Sequence, residues 1–230
     1  MGQTLIQLAS TAGVDFVGHV DLGLSLLPAL EKADVAIDFS VPEATEALVL
    51  EASRLEKAVV IGTTGHSSEQ LKLIREASKT IPIILAGNFS IGVNLLFILA
   101  RIASRALGED YDAELIEMHH HHKKDSPSGT AARLLEIVEQ EKGLGPENRQ
   151  HGREGWVGAR PKKEIGVHAI RGGDIVGEHT LLFAGQGERL ELKHQATDRA
   201  IFARGALHAA RWLVSQKPGL YDMEDVLQLT

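Results

Sequence analysis

Between Glu117 and Thr130 the chain reads Glu-Met-His-His-His-His-Lys-Lys-Asp-Ser-Pro-Ser-Gly-Thr, a dense run of proton-carrying and cationic groups. Imidazoles titrate near neutrality and lysines carry protons, so this stretch supports acid chemistry on an anionic substrate. Upstream, Asp112 to Met118 has the pattern of a strand, which puts the histidines at or just beyond a strand end. Downstream, Thr130 to Val138 has helical spacing, with Ser128 as its N-cap. A helix start offers unpaired backbone N–H groups and a positive dipole end, both suited to a carboxylate or phosphate.

Four consecutive histidines also raise a metal, and hence a metal-dependent hydrolase. Zinc takes ligands from several elements or at i, i+4 helical spacing, and no H-E-x-x-H pattern or cysteine is present. Along a strand His119 and His121 face one way and His120 and His122 the other, so they do not converge on one ion. A solvated polar loop explains each histidine singly, but not their place before an anion-ready helix start. An internal run followed by a specific turn does not read as a purification tag.

The 230 residues are 43% hydrophobic and 24% charged, a balance that fits a globular chain of one or two domains. Aromatics make up only 4%, so the core must be aliphatic and alanine-rich. A formal charge of −7 argues against a general nucleic-acid surface, while leaving room for a local basic pocket at Lys123 and Lys124. No cysteine means no disulfide framework. No uninterrupted apolar run approaches the ~18 residues of a membrane span, and no signal peptide is visible, so a cytoplasmic location is expected.

The elements that must position these groups alternate through the first half. Helices are predicted over 3–12, 42–57 and 67–79, and strands over 14–21, 34–40, 58–61 and 81–85. Such alternation implies a doubly wound parallel sheet. Small and polar residues gather where the strands end, at Asp38-Phe39-Ser40, Gly62-Thr63-Thr64-Gly65 and Ala86-Gly87-Asn88-Phe89, where open parallel sheets bind ligands. Ordinary turn chemistry explains any one of these loops. Asp21 adds a candidate acceptor for ribose hydroxyls. Further on, 91–107 is an amphipathic helix and 143–163 a long loop. Strands follow over 165–171, 175–183 and 189–194, whose short glycine links favour an antiparallel sheet. A helix over 200–214 and a short tail close the chain.

Taken together, Ile37-Asp38-Phe39-Ser40, Val60 to Gly65, Gly87 to Ser90, the Glu117 to Thr130 run and Arg171 to His179 resemble the dihydrodipicolinate reductase family over nearly the whole chain. The resemblance implies NADH- or NADPH-dependent reduction of a cyclic imino dicarboxylate to tetrahydrodipicolinate, in diaminopimelate and lysine biosynthesis. It implies His119 as general acid or base, Lys123 as proton donor, His120 as a substrate contact, and Gly129 and Thr130 as carboxylate binders. Gly62, Thr63, Thr64, Ala86, Gly87, Asn88 and Phe89 would line the cofactor. It assigns no chemistry to His121, while Lys124 reads as a solvated charge. Asp21 falls at the family's adenosine ribose position and is followed by Leu22, where many relatives carry an arginine. An acid without an adjacent cation favours NADH.

The fold expected is α/β: a Rossmann-like doubly wound sheet over 1–90 with 204–230, and an α+β substrate and oligomerisation domain with a mostly antiparallel sheet over 91–203. The family implies a homotetramer, with neither nucleic acid nor membrane as partner. Relatives begin with a strand and a glycine-rich pyrophosphate turn, whereas Met1 to Ile6 here corresponds to the end of that turn. This leaves two expectations open: a start codon assigned too late, or a non-catalytic or impaired nucleotide-binding relative. Another imine-containing dicarboxylate as substrate is also left open.

Overall fold

The computed structural model describes residues 1–21 and 23–228. In chain order the elements are α1 (Gly2–Ala9), α2 (Leu27–Leu30), β1 (Val35–Asp38), α3 (Pro42–Arg54), β2 (Ala58–Ile61), α4 (Ser68–Ala77), β3 (Pro82–Leu85) and α5 (Ile91–Leu107). They continue as β4 (Asp112–His119), α6 (Gly129–Lys142), β5 (Arg149–His151), β6 (Ile165–Arg171), β7 (Gly177–Ala184), β8 (Arg189–Ala196), α7 (Ala200–Leu213), β9 (Gly219–Tyr221) and α8 (Met223–Leu227). The chain divides into two compact units, Met1–Ile91 with Ala200–Thr230, and Gly92–Arg199.

The first unit carries a parallel sheet in the order β1-β2-β3-β9. Because side chains alternate along a strand, β2 feeds two cores. Ala58 and Val60 pack with Phe89, Ala206, Ala209 and Leu213, while Val59 and Ile61 pack with Leu48, Val49 and Ile74. Helices therefore cover both faces, the doubly wound arrangement expected from the alternation. Local chemistry sets the helix starts. Pro42 opens α3, and Ser67 caps α4 in a reciprocal capping box with Gln70.

Expectations for three segments need correction. Residues 14–21 form no strand: Phe16 and Val17 are exposed, and β1 lies at the edge of the sheet without using this segment as a partner. A strand without a hydrogen-bonded neighbour has nothing to hold it extended. The long loop 143–163 contains the short strand β5, paired in parallel with β6. The tail is not a simple extension, since β9 completes the parallel sheet beside β3 and Asp222 caps α8.

The second unit has a five-stranded sheet in the order β5-β6-β4-β7-β8. It is mixed rather than mostly antiparallel: β4 pairs in parallel with β6 and antiparallel with β7. The glycine link after Arg171 therefore does not make a hairpin. It carries the chain past the end of β4, which lies between β6 and β7. One sheet face packs on α5 and α6 through Leu96, Phe97, Leu115, Leu134, Leu135 and Leu181. The helical segment Ile91–Asp110 is apolar and long enough to cross a membrane by composition, yet Val93, Leu96, Phe97, Ala100 and Ala103 pack into this core.

Candidate active site

The burial alternation of β4 decides which of its side chains meet α6. Ala113, Leu115, Glu117 and His119 are buried, and Asp112, Glu114, Ile116 and Met118 take the other face. Glu117 has a side chain with 0% exposure, so a charge there requires full compensation. Arg171 supplies it in bidentate fashion, Nη1 donating to Oε2 at 2.8 Å and Nη2 to Oε1 at 2.7 Å. The backbone N–H of Ser128 donates to Oε1 at 3.1 Å, and His119 Nδ1 lies 2.5 Å from Oε2. Burial pushes the Glu117 carboxyl upward, but the bonds from Arg171 and His119 outweigh it and leave the group below its usual range.

Ser128 joins this cluster to the helix it caps. Its Oγ accepts from Ala131 N–H at 3.3 Å and meets His179 Nε2 at 3.0 Å. Gly129, just past the cap, is exposed and has no atom within 4 Å of where a Cβ would stand, so a ligand can approach the helix start. The helix closes at Gly143, whose φ of 63° is the left-handed cap conformation. The His119 and His179 rings meet edge to face at 5.2 Å. Burial depresses His179 to about 4, aided by His119. His119 is also lowered, first by burial and then by Lys123 and Arg171, against the upward pull of Glu117.

The remaining run fans out. Lys123 Nζ pairs with Asp125 Oδ1 at 2.9 Å, and the lysine is the more buried partner. His120 Nε2 lies 3.3 Å from Arg199 Nη2. His121 Nδ1 approaches Gly173 O at 2.9 Å and its ring lies 3.9 Å from that of His122. The strand alternation argued from sequence therefore does not govern His120 to His122, since β4 ends at His119. Lys124 is exposed. Among the described residues no group of three or more His, Asp or Glu side chains is placed to hold a metal.

In the first unit the carboxyl ends of β1, β2 and β3 are in register, Asp38 opposite Ile61 and Ile61 opposite Leu85, so their three loops emerge side by side. Buried Asp38 accepts from Ser40 N–H at 2.9 Å and from Thr45 Oγ1 at 2.5 Å. Thr63 Oγ1 accepts from Ser40 N–H at 2.9 Å, and Asn88 Oδ1 from Ser90 N–H at 2.8 Å. Thr64 and Gly87 are exposed, and Ala86 and Asn88 are partly so. Two members have packing reasons of their own. A Cβ on Gly62 would stand 2.2 Å from the Phe39 ring, and Phe89 is buried in the core with its carbonyl against Gly205. Asp21 is exposed in irregular chain, and Leu22 lies outside the described residues.

Sequence reasoning gave no role to Arg171, Asp125 or His179. Their signal lies in register: β4 sets His119 beside Arg171 on one flank and Glu117 beside His179 on the other. The Arg171 to His179 motif points to the region but does not give the pairing.

A model of the dihydrodipicolinate reductase N-terminus matches residues 1–89, and one of its C-terminus matches residues 92–227. The chain belongs to the dihydrodipicolinate reductase family. It is 52% identical over 238 aligned positions to a 4-hydroxy-tetrahydrodipicolinate reductase of Akkermansia muciniphila, covering 100% of this chain and 94% of that one. A protein of the same name from Hahella chejuensis is 50% identical, with 89% of this chain and 77% of that one covered. A structure of dipicolinate-bound dihydrodipicolinate reductase from Paenisporosarcina sp. TG-14 matches with TM-score 0.76 and 26% identity, covering 96% of this chain and 92% of its own. As a member of the dihydrodipicolinate reductase family the chain is an NAD(P)H-dependent oxidoreductase, and the non-catalytic alternative is not favoured.

Proposed function

We propose that the chain reduces 4-hydroxy-tetrahydrodipicolinate to tetrahydrodipicolinate in diaminopimelate and lysine biosynthesis through the cluster built on Glu117, His119, Lys123 and the start of α6. The observation that carries this reading is the seating of His119 on a buried, fully compensated carboxylate beside a capped helix start. A carboxylate of the substrate binds at Gly129 and Thr130, with His120 as a further contact. Loss of the 4-hydroxyl as water leaves a conjugated imine, hydride addition to it builds negative charge on the ring, and a nearby acid must quench that charge. His119 moves a proton as general acid or base and Lys123 donates one. Lys123 is held in place by Asp125.

The first unit serves as the dinucleotide-binding domain, taking 1–90 with 204–230, and 91–203 binds substrate and builds the oligomer. Gly62, Thr63, Thr64, Ala86, Gly87, Asn88 and Phe89 line the nicotinamide cofactor, which supplies the hydride. The residues fit such a group: three in-register loops open at the carboxyl ends of the strands, and Gly87 has no neighbour closer to a Cβ position than Thr64 Cγ2 at 3.8 Å. Phe89 contributes through its backbone, since its ring is buried. Asp21 holds the ribose and favours NADH, because an acid repels a 2′-phosphate. A homotetramer in the cytoplasm, without nucleic acid or membrane as partner, completes the reading.

The test is oxidation of NADH and of NADPH by the full chain with enzymatically generated hydroxytetrahydrodipicolinate. Turnover that disappears in His119→Ala and Lys123→Ala is expected, with NADH the better reductant. A folded wild-type chain without turnover on either cofactor overturns the reading.

A further inference from the structure

We propose that Glu117 is a positioning residue that fixes the proton of His119 on Nδ1 and turns Nε2 toward the reacting face, with Arg171 cancelling its charge. The proposal rests on the reading of His119 as the group that moves the proton.

Four donors converge on the two oxygens of Glu117. Oε1 receives Ser128 N–H and Arg171 Nη2, and Oε2 receives Arg171 Nη1 and His119 Nδ1. A backbone N–H and a guanidinium can only donate, so the carboxylate must stay ionised and acceptor-only. The imidazole is the one member with a choice of tautomer. Facing a saturated acceptor, it must present Nδ1–H. That leaves Nε2 to exchange protons, and the chain clears the space before it. A Cβ on Gly177 would stand 3.0 Å from His119 Nε2.

Arg171 has a separate part. A lone buried carboxylate would hold His119 as imidazolium and make it a poor proton donor. The bidentate arginine satisfies that carboxylate, so the imidazole keeps the orientation without the full charge. The groups facing His119 are Glu117, Lys123, Arg171 and His179, and of these only Glu117 favours the charged ring. Removing Glu117 and removing Arg171 must therefore move the titration of His119 in opposite directions. A merely structural role predicts no such antisymmetry.

The experiment is nitrogen-15 NMR of the full chain labelled in its histidine rings, titrated without substrate, beside steady-state kinetics. In the wild type the neutral His119 ring should carry its proton on Nδ1. Glu117→Gln presents an amide N–H₂ to donors, so the proton should shift to Nε2 and the titration to lower pH. Its kcat should fall on the order of 10²-fold or more, with KM changed by about threefold or less. Glu117→Asp should keep the Nδ1 tautomer and recover part of kcat, while Arg171→Gln should titrate at higher pH. A wild-type Nε2–H tautomer, or shifts of the same sign in the two variants, overturns the proposal even if Glu117→Gln fails to fold. Absence of wild-type turnover beside an Nδ1–H ring would instead sink the reductase reading and leave the positioning device standing.

Discussion

Glu114 and Glu117 stand three residues apart on β4, on opposite faces of the same sheet, and each collects arginine and a histidine. Glu114 binds Arg153, Arg160 and His168, with a side chain 16% exposed. Glu117 binds Arg171, His119 and the N–H of Ser128, with none of its side chain exposed. The outer cluster also draws in Glu164 and Asp112, so it pins the long segment before β6 to the sheet. The inner cluster divides its acceptor sites among Arg171, one helix start and one imidazole. Similar chemistry thus makes a clamp where it meets a loop and a buried, fully bonded seat for an imidazole where it meets a capped helix.

The sharpest way to break the comparison is to remove the two histidines. His119→Ala should cost turnover roughly 10²- to 10⁴-fold, the range for loss of a general acid or base. His168→Ala, whose Nε2 lies 2.9 Å from Glu114, should stay within about threefold of wild type, because its partner only clamps a loop. Equal losses in steady-state NADH oxidation would erase the functional distinction between the faces.

Much of this site was legible in the sequence, because local chemistry dictates it. The N-cap at Ser128, the end of a strand near His119 and the helix that follows are all written in consecutive residues. What stayed hidden depends on register. Arg171 reaches Glu117 because β6 pairs in parallel with β4, whereas glycine links had pointed to an antiparallel neighbour. The short glycine link spans β4 without pairing its own flanking strands, and no local pattern records which strand lies between. Residues 14–21 mislead for the opposite reason: their pattern suits a strand, but a strand also needs a partner. Gly62 shows a third limit, since its missing side chain makes room for the Phe39 ring as well as for any ligand.

Stability should separate the carboxylates next. Glu117→Ala leaves Arg171 partnered only by backbone carbonyls and His119 and Ser128 without their acceptor, and should cost about 3–5 kcal/mol. Glu114→Ala, in a partly solvated cluster, should cost about 1 kcal/mol after screening. Denaturant midpoints at neutral pH compare the two directly. Acid should then separate a histidine of the inner face from Glu114 of the outer one by window. His179 falls from 6.5 to about 4 on folding, so below 6.5 the unfolded chain binds the extra proton. Stability is lost as pH falls from 6.5 toward 4, by about 3 kcal/mol. Glu114 lies at about 2 against an ordinary 4.5, despite burial pushing upward, because Arg153, His168 and Arg160 bond to it. Its contribution is present above 4.5 and is lost as pH falls toward 2. His179→Gln should flatten the upper step alone, and Glu114→Gln the lower step alone.

The smallest test uses the glycine that each cluster keeps beside it. A Cβ on Gly166 would stand 1.7 Å from a Glu114 oxygen, and one on Gly177 would stand 3.0 Å from His119 Nε2. On the outer face the carboxylate must move, and its arginines must follow or part from it. Gly166→Ala should therefore destabilise the chain by about 1–3 kcal/mol, as overpacking does, with kcat little changed. On the inner face the ring nitrogen can give by a few tenths of an ångström, so Gly177→Ala should melt near wild type. It crowds the one nitrogen of His119 that is not committed to Glu117, and a small misplacement of a proton-transfer group slows the reaction it serves. We expect kcat to fall about tenfold. A Gly177→Ala enzyme of unchanged kcat would mean that Nε2 does not carry the proton traffic, and the inner cluster would then be a clamp like the outer one.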